Sequence, residues 1–210
     1  MATAWTLADL FGRRAAEHTE RTLLVAGGRS LSYGQVESRA SALAAALAEL
    51  GVEAGDRVAV NLPNCPEWVI ALLAVAKLGA VVVPVNPRLN YHELKYQLRH
   101  AEASLVVTSE RWQGTDYLAL FEDMLAELPD LQYLVTVGTE DLWYDDRIFQ
   151  FEDLVSSGEG RPVPAPASLD DASDLALLYT SGTMGKPKGV RLSHRAVVVP
   201  VNPRLNYHEL

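Results

Sequence analysis

Cysteine is nearly missing from this chain. Cys65 is the only one in 210 residues, which excludes an internal disulfide framework and any cysteine-rich metal site. A lone cysteine in an α/β pattern reads as a small buried hydrophobe. Positive charge is scarce as well: 18 Lys and Arg stand against 27 Asp and Glu, a formal net charge of −9. That balance argues against nucleic acid as a partner, because phosphate backbones are held by net-basic surfaces. No apolar run of membrane length escapes interruption by a charge, glycine or proline. Residues 1–10 show no basic segment followed by a long apolar one, so neither a secretory signal nor a transmembrane segment is visible. These exclusions leave a cytoplasmic α/β protein as the expectation, with enough length to bury a core.

Local signals organise the chain. Thr6 with Asp9 forms a capping pair for a helix reaching about His18, whose Leu7, Leu10 and Phe11 read as covering a core rather than lying on a membrane. Gly27-Gly28 reads as the turn of a short strand pair, 22–25 with 29–31. Ser32 with Gln35 caps a second helix that carries Val36, Ala40, Leu43, Leu47 and Leu50 on one face, and Gly51 ends it. A βαβ unit follows: strand 58–62, a mostly apolar helix Pro66–Lys77, and the β-branched strand 81–83. Asn90 with Glu93 caps a helix reaching His100, ahead of strand 105–108, a helix around 117–128 and strand Tyr133–Val137. This alternation predicts a largely parallel sheet with flanking helices. Residues 156–171, SSGEGRPVPAPASLDD, lack periodicity and hold three prolines. They read as a connecting segment, either a domain boundary or a long surface loop, and the short chain beyond favours the loop. The expected divisions are an α/β region at 1–155, the connection at 156–174, a strand–loop–strand at 175–195, and an anomalous tail at 196–210.

The chemistry concentrates in 175-LALLYTSGTMGKPKGVRLSH-194, where strands 175–179 and 189–192 enclose a loop. Gly182, Gly185 and Gly189 let backbone N–H groups approach an anion. Thr180, Ser181 and Thr183 offer hydroxyls, and Lys186 and Lys188 offer charge. From Leu175 to His208 there is no Asp or Glu, while Lys186, Lys188, Arg191, Arg195 and Arg204 are present. In so acidic a chain, that points to a triphosphate site. Pro187 after Lys186 excludes a Walker A loop, and no GxGxxG follows a strand. On residue types alone, a Gly/Ser/Thr-rich hairpin that binds nothing stays open beside the phosphate cradle.

The string LLYTSGTMGKPKGVRLSH resembles the signature phosphate-binding loop of the adenylate-forming superfamily, which holds acyl- and aryl-CoA synthetases, peptide-synthetase adenylation domains and luciferases. The stretch 58-VAVNLPNCPEWVIALLAVAKLGAVVVPVNP-87 is similar to the N-terminal region of that family, particularly of its acyl-CoA synthetases. The resemblance covers roughly residues 1–195. It implies an incomplete N-terminal large domain of the ligase fold and a two-step reaction. A carboxylic acid, expected to be a fatty acid, is activated with ATP to an acyl-adenylate and pyrophosphate, and CoA then displaces AMP. It also implies Mg2+, with ligands outside this stretch. Carried over position by position, Thr180, Ser181, Gly182, Thr183, Met184, Gly185, Lys186 and Lys188 bind phosphate, and Lys188 is the catalytic charge. Met184 departs from the family pattern, in which Thr is usual, and replaces a hydroxyl donor with a thioether. The family's adenine, ribose and hinge motifs and its C-terminal lysine lie further on, so the chain alone is expected to be inactive. The alternatives are a non-catalytic nucleotide-binding or interaction fragment, and a phosphotransferase using the same loop.

Other polar residues receive structural readings. His194 reads as a solvent-facing or capping residue, and His92 and His100 lack ligand-like company. Asp170, Asp171 and Asp174 read as a solvated capping cluster, and Trp5, Trp68, Trp112 and Trp143 as packing residues. The tail is unusual, because 196-AVVVPVNPRLNYHEL-210 repeats 80-AVVVPVNPRLNYHEL-94 without a change. Pro200 and Pro203 are expected to forbid the helix that the family places after Ser193. The copied valines should therefore pair at an exposed sheet edge or remain mobile, as the product of a misjoining rather than of a functional duplication.

Overall fold

The capping pairs read from the sequence each open a helix in the computed structural model, which describes residues 5–142, 144–180 and 187–201. In chain order the elements are α1 (Leu7–Glu17), β1 (Thr22–Ala26), β2 (Arg29–Ser32), α2 (Tyr33–Glu49), β3 (Arg57–Asn61), α3 (Pro66–Lys77), β4 (Val81–Pro84), α4 (Tyr91–Ala101), β5 (Ala103–Ser109), β6 (Arg111–Trp112) and β7 (Thr115–Asp116). They continue with α5 (Tyr117–Glu127), β8 (Tyr133–Val137), β9 (Ile148–Gln150), α6 (Phe151–Gly158), β10 (Asp174–Thr180), β11 (Lys188–Ser193) and α7 (His194–Val201). Thr6, Ser32 and Asn90 each accept the N3 backbone N–H, while Asp9, Gln35 and Glu93 return to the cap. Gly27 and Gly28 both have positive φ, as a tight two-residue hairpin requires.

Seven strands form one sheet in the order β11-β10-β4-β3-β5-β8-β9. All neighbours run parallel except β10 with β11. Both faces are buried, and successive strand residues separate between them. Val58, Val60, Val82, Leu105, Val107 and Val135 pack with α2, α3 and α6. Ala59, Val83, Val106 and Leu134 pack with α4 and α5 on the opposite face. Such two-sided burial explains why these strands are continuous runs of apolar residues, with no polar alternation. Leu7 and Phe11 of α1 lie against the first of these layers, so α1 covers the core.

The 138–150 region holds structure that the sequence concealed. The Glu110 carboxylate is almost fully buried and accepts the backbone N–H groups of Thr139 (2.9 Å) and Glu140 (3.0 Å). It ties down the loop that delivers β9 and α6. Ser156–Gly158, expected to begin the connecting segment, instead complete the last turn of α6. The boundary expected at residue 155 therefore falls inside a helix. The reason is close packing: a methyl at Gly158 would overlap the Ala42 carbonyl of α2, so only glycine lets the two helices meet. Gly158→Ala should lower stability by about 1–3 kcal/mol in urea denaturation. An unchanged midpoint would refute this packing account.

The chain after Ser193 departs from expectation. Residues 194–201 form α7 despite Pro200, and Ser193 Oγ accepts the Ala196 N–H at its start. A proline within the last turn removes one N–H donor there but leaves the first turn intact. Val198 is buried, and Val197 packs beside Leu7, Leu72 and Leu175, so these copied valines are helical and neither edge-paired nor unpacked. Pro203 and the remainder of the copy lie outside the described residues.

His194 is also corrected. It is fully buried, and its Nδ1 accepts the Leu7 N–H at 3.0 Å, satisfying an orphan donor at the start of α1. This contact locks the C-terminal helix onto the N-terminal one. Accepting at Nδ1 requires the neutral ring, and burial pushes its pKa down against the opposing pull of Asp9, Asp170 and Asp171. The folded-state pKa thus lies below the unfolded value of about 6.5. As pH falls through that value the unfolded chain takes up the proton first, and stability is lost. His194→Gln should be less stable at pH 7.5, yet lose less of its remaining stability on going to pH 5.5. Equal losses in the two proteins, measured as urea midpoints, would overturn this assignment.

Candidate functional site

The expected loop lies between β10 and β11, and its two ends are the parts of it that the structure describes. Thr180 ends β10, Lys188 begins β11, and the two face each other in antiparallel register. Both side chains are exposed. Ser181, Gly182, Thr183, Met184, Gly185 and Lys186 lie outside the described residues. Gly189, read as a loop glycine, belongs to β11 opposite Tyr179. A methyl at Gly189 would press on the Leu177 side chain at 2.9 Å, so its smallness serves packing between the two strands.

The cationic character of this region is smaller than its composition implies. Arg191 pairs with Asp174 at 2.6 Å, and Arg195 pairs with Asp171 at 2.9 Å. The carboxylates at the start of β10 and just before it therefore neutralise the arginines in β11 and at the start of α7. Asp170 has a different task. Its carboxylate accepts the Ala172 and Ser173 N–H groups and the Ser173 hydroxyl, which holds it below the usual carboxylate range. Lys188 makes no ion pair with any described residue, which leaves its charge available at the mouth of the loop.

β10 meets the parallel sheet at a single register pair, Ala176 with Val82. Further along, Leu177 and Tyr179 pack on the α4 side of the sheet. There His100 Nδ1 lies 2.7 Å from the Tyr179 hydroxyl, which also reaches the Gln97 carbonyl at 3.4 Å. The Tyr96 hydroxyl donates to the Pro187 carbonyl at 3.4 Å. His100 thus sits among aromatic and carbonyl partners bordering the loop. The sequence signal was present but faint: Tyr96 and His100 are four apart, hence on one helix face, and Tyr179 directly precedes Thr180. Burial, with Tyr96 nearby, pushes the Tyr179 phenol up to about 12, so it remains a proton donor at neutral pH.

Three other places carry polar or reactive groups. A cavity of about 500 Å³ opens beside Arg57, Gly79, Asp174 and Arg191, at the opposite end of β10. Its two arginines already have carboxylate partners in Glu102 and Asp174. Asn61 and Thr108, buried at the carboxyl ends of β3 and β5, bond chiefly to each other. The Cys65 thiol is pushed up to about 11 by burial, so it is protonated and no nucleophile at neutral pH. Among the described residues no three His, Cys, Asp or Glu side chains come together in a way that could hold a metal, and no helix is long and apolar enough to cross a membrane.

Known proteins share both the sequence and the fold. The AMP-binding enzyme family matches residues 11–208. An acetyl-coenzyme A synthetase of Mycolicibacterium smegmatis is 34% identical over 186 residues, covering 85% of this chain and 20% of that protein. A crotonobetaine/carnitine–CoA ligase of Salmonella paratyphi A is 33% identical over 189 residues, covering 90% of this chain and 35% of its own length. The crystal structure of the anthranilate CoA ligase AuaEII with anthranoyl-AMP superposes with a TM-score of 0.80 at 26% identity, over 93% of this chain and 36% of that one. The chain thus spans well under half the length of these relatives. With a mostly parallel three-layer α/β fold and the loop strand-paired at both ends, the chain belongs to the AMP-binding enzyme family, the adenylate-forming ligases that include the acyl-CoA synthetases.

Proposed function

We propose that this chain supplies the phosphate-gripping part of an ATP-dependent carboxylate–CoA ligase. The observation that carries the reading is the β10–β11 hairpin, which sets Thr180 opposite Lys188 and leaves the Lys188 charge uncommitted among the described residues. In the first step a carboxylate oxygen attacks the α-phosphorus of ATP, and the bond to the β-phosphate oxygen breaks. Pyrophosphate leaves with the electron pair, so negative charge grows on the β- and γ-phosphates. The Lys188 ammonium, the hydroxyls of Thr180, Ser181 and Thr183, and the backbone N–H groups at Gly182 and Gly185 would stabilise that charge without reorganising water. Met184 adds no donor, and Lys186 adds a second charge. In the second step the CoA sulfur attacks the acyl carbonyl, and AMP leaves with the electrons of the broken C–O bond.

A fatty acid is our leading substrate. The named relatives act on acetate, on carnitine or crotonobetaine, and on anthranilate, so the family as a whole accepts acids of several shapes. Mg2+ accompanies ATP in this reading and would offset phosphate charge. Its ligands are not assigned to the described residues, which offer no converging donor set. The reading locates the reaction in the cytoplasm, where ATP and CoA are both present.

The 210-residue chain by itself should show no carboxylate-dependent exchange of labelled pyrophosphate into ATP, tested with fatty and aromatic acids. It spans only 20% and 35% of the length of two relatives, and the resemblance puts the adenine, ribose and hinge motifs further on. Robust exchange would sink the claim that it is a catalytically incomplete part. When the chain is completed with the C-terminal remainder of a relative, Lys188→Ala should reduce exchange more than Lys186→Ala. Met184→Thr should raise it, because one hydroxyl bond to a charged phosphate contributes about 1.5–3 kcal/mol, roughly tenfold or more in rate. Equal losses from the two lysines, or no gain from threonine, would refute the loop assignment.

A further inference from the structure

We propose that Tyr96, His100 and Tyr179 form a clasp that fixes both stems of the phosphate loop to α4, so that Thr180 and Lys188 are set before a phosphate arrives. The role rests on the phosphate-loop reading above, with Tyr96 and His100 as positioning residues.

The anchor is rigid. Asn90 and Glu93 cap α4, and Leu94, Gln97, Leu98 and Ala101 are buried beneath it. Tyr96 and His100 stand one turn apart on the same helix, with ring centroids 5.7 Å from each other. The Tyr179 ring meets His100 edge-on, centroids 5.6 Å apart at 79°. The 2.7 Å contact between His100 Nδ1 and the Tyr179 hydroxyl joins that arrangement to the residue just before Thr180. When the phenol donates to the Gln97 carbonyl, Nδ1 carries the proton and donates to the phenol oxygen, so one relay satisfies all three groups. The other stem is held by the Tyr96 hydroxyl on the Pro187 carbonyl, next to Lys188. One helix thus grips the residue before Thr180 on one strand and the residue before Lys188 on the other.

The clasp matters because the loop end of β10 lies beyond its register pair with the parallel sheet, Ala176 with Val82, and its outer neighbour β11 is the sheet edge. Donors at Thr180 and Lys188 that were free to shift would have to be ordered on binding, which weakens affinity and misplaces them. Fixing the stems to α4 moves that ordering into the folding of the protein. The same contacts carry a predicted signature in ligand affinity that plain packing would not carry.

The test uses the 210-residue chain, with inorganic pyrophosphate as the probe. Affinity is measured by titration calorimetry, loop order by amide hydrogen exchange at Thr180 and Lys188, and folding by thermal melting. His100→Ala and Tyr179→Phe should each speed exchange at both amides and weaken pyrophosphate binding by roughly fivefold, in keeping with one lost hydrogen bond. Melting temperature should stay nearly unchanged. The double variant should be no weaker than the weaker single one, because both remove the same contact. His100→Asn, whose amide reaches the place of Nδ1, should restore binding to within about twofold of the unaltered chain. Unchanged affinity and exchange in variants of a chain that binds would overturn the clasp alone, as would losses that simply add in the double variant or fail to recover in His100→Asn. If the unaltered chain does not bind pyrophosphate at all, the phosphate-loop reading falls, and the positioning role falls with it.

Discussion

Burial of both faces of the parallel strands is the constraint from which the rest of the molecule follows. Val58 and Val60 must meet one helical layer while Ala59 meets the other, and the same division holds for Val82 against Val83. Fully burying an aliphatic side chain contributes about 1.5–3 kcal/mol, so neither layer can be omitted. The layers also fix the routes between strands. Because β4 and β5 lie on opposite sides of β3, α4 must cross the sheet to join them. That crossing brings Tyr96 and His100 to the path of the hairpin that later carries the loop. The candidate site is thereby a consequence of the order in which the strands were laid down.

Buried polar groups pin the margins of this layered core. Glu110 accepts backbone N–H groups of the loop leading to β9, and Glu67 at the start of α3 pairs with Arg29 of the β1–β2 hairpin at 2.9 Å. His194 accepts the N–H that opens α1. Each pairs a group that would be costly to bury alone with a main-chain or charged partner remote in sequence. Together they hold the hairpin, the β9–α6 unit and the C-terminal helix in register with the sheet. The loop stems are held differently, by the Tyr96 and Tyr179 phenols and an exposed imidazole, His100, on α4.

Much of the frame was legible because it depends on neighbours in sequence. Capping pairs such as Asn90 with Glu93 act across three residues, and the helix Pro66–Lys77 begins at a proline suited to a first turn and ends before Gly79 at positive φ. The β-branched run at Val81 identified a buried strand for the same reason. β9 escaped because three residues make too short a signal, and α6 because its last turn reads as a flexible Ser-Ser-Gly stretch until α2 lies against it. At the site, the proposal of phosphate chemistry comes from residue types. The electrostatic reading was too strong, since Asp171 and Asp174 reach across the hairpin to Arg195 and Arg191. Nor could spacing disclose that His100 meets Tyr179, 79 positions away.

The duplicated segment separates what sequence determines from what it leaves open. Ala-Val-Val-Val-Pro-Val occurs at 80–85 and again at 196–201. In the first copy Val81–Pro84 is β4, hydrogen-bonded to β3 and meeting β10 at Val82, with Val82 and Val83 buried on opposite faces. In the second the same residues continue α7, where Ser193 caps the first turn and Val198 is buried. The composition of the segment favours burial of its valines, and this the sequence alone determined. Whether burial comes in a strand, as for Val82, or in a helix, as for Val198, was decided by tertiary structure. A slot between β3 and β10 takes the first copy, while the buried contact of His194 with α1 starts the second copy as a helix. β-branched residues pack well in a pleated sheet but form a helix when a cap and a buried face outweigh their modest intrinsic preference.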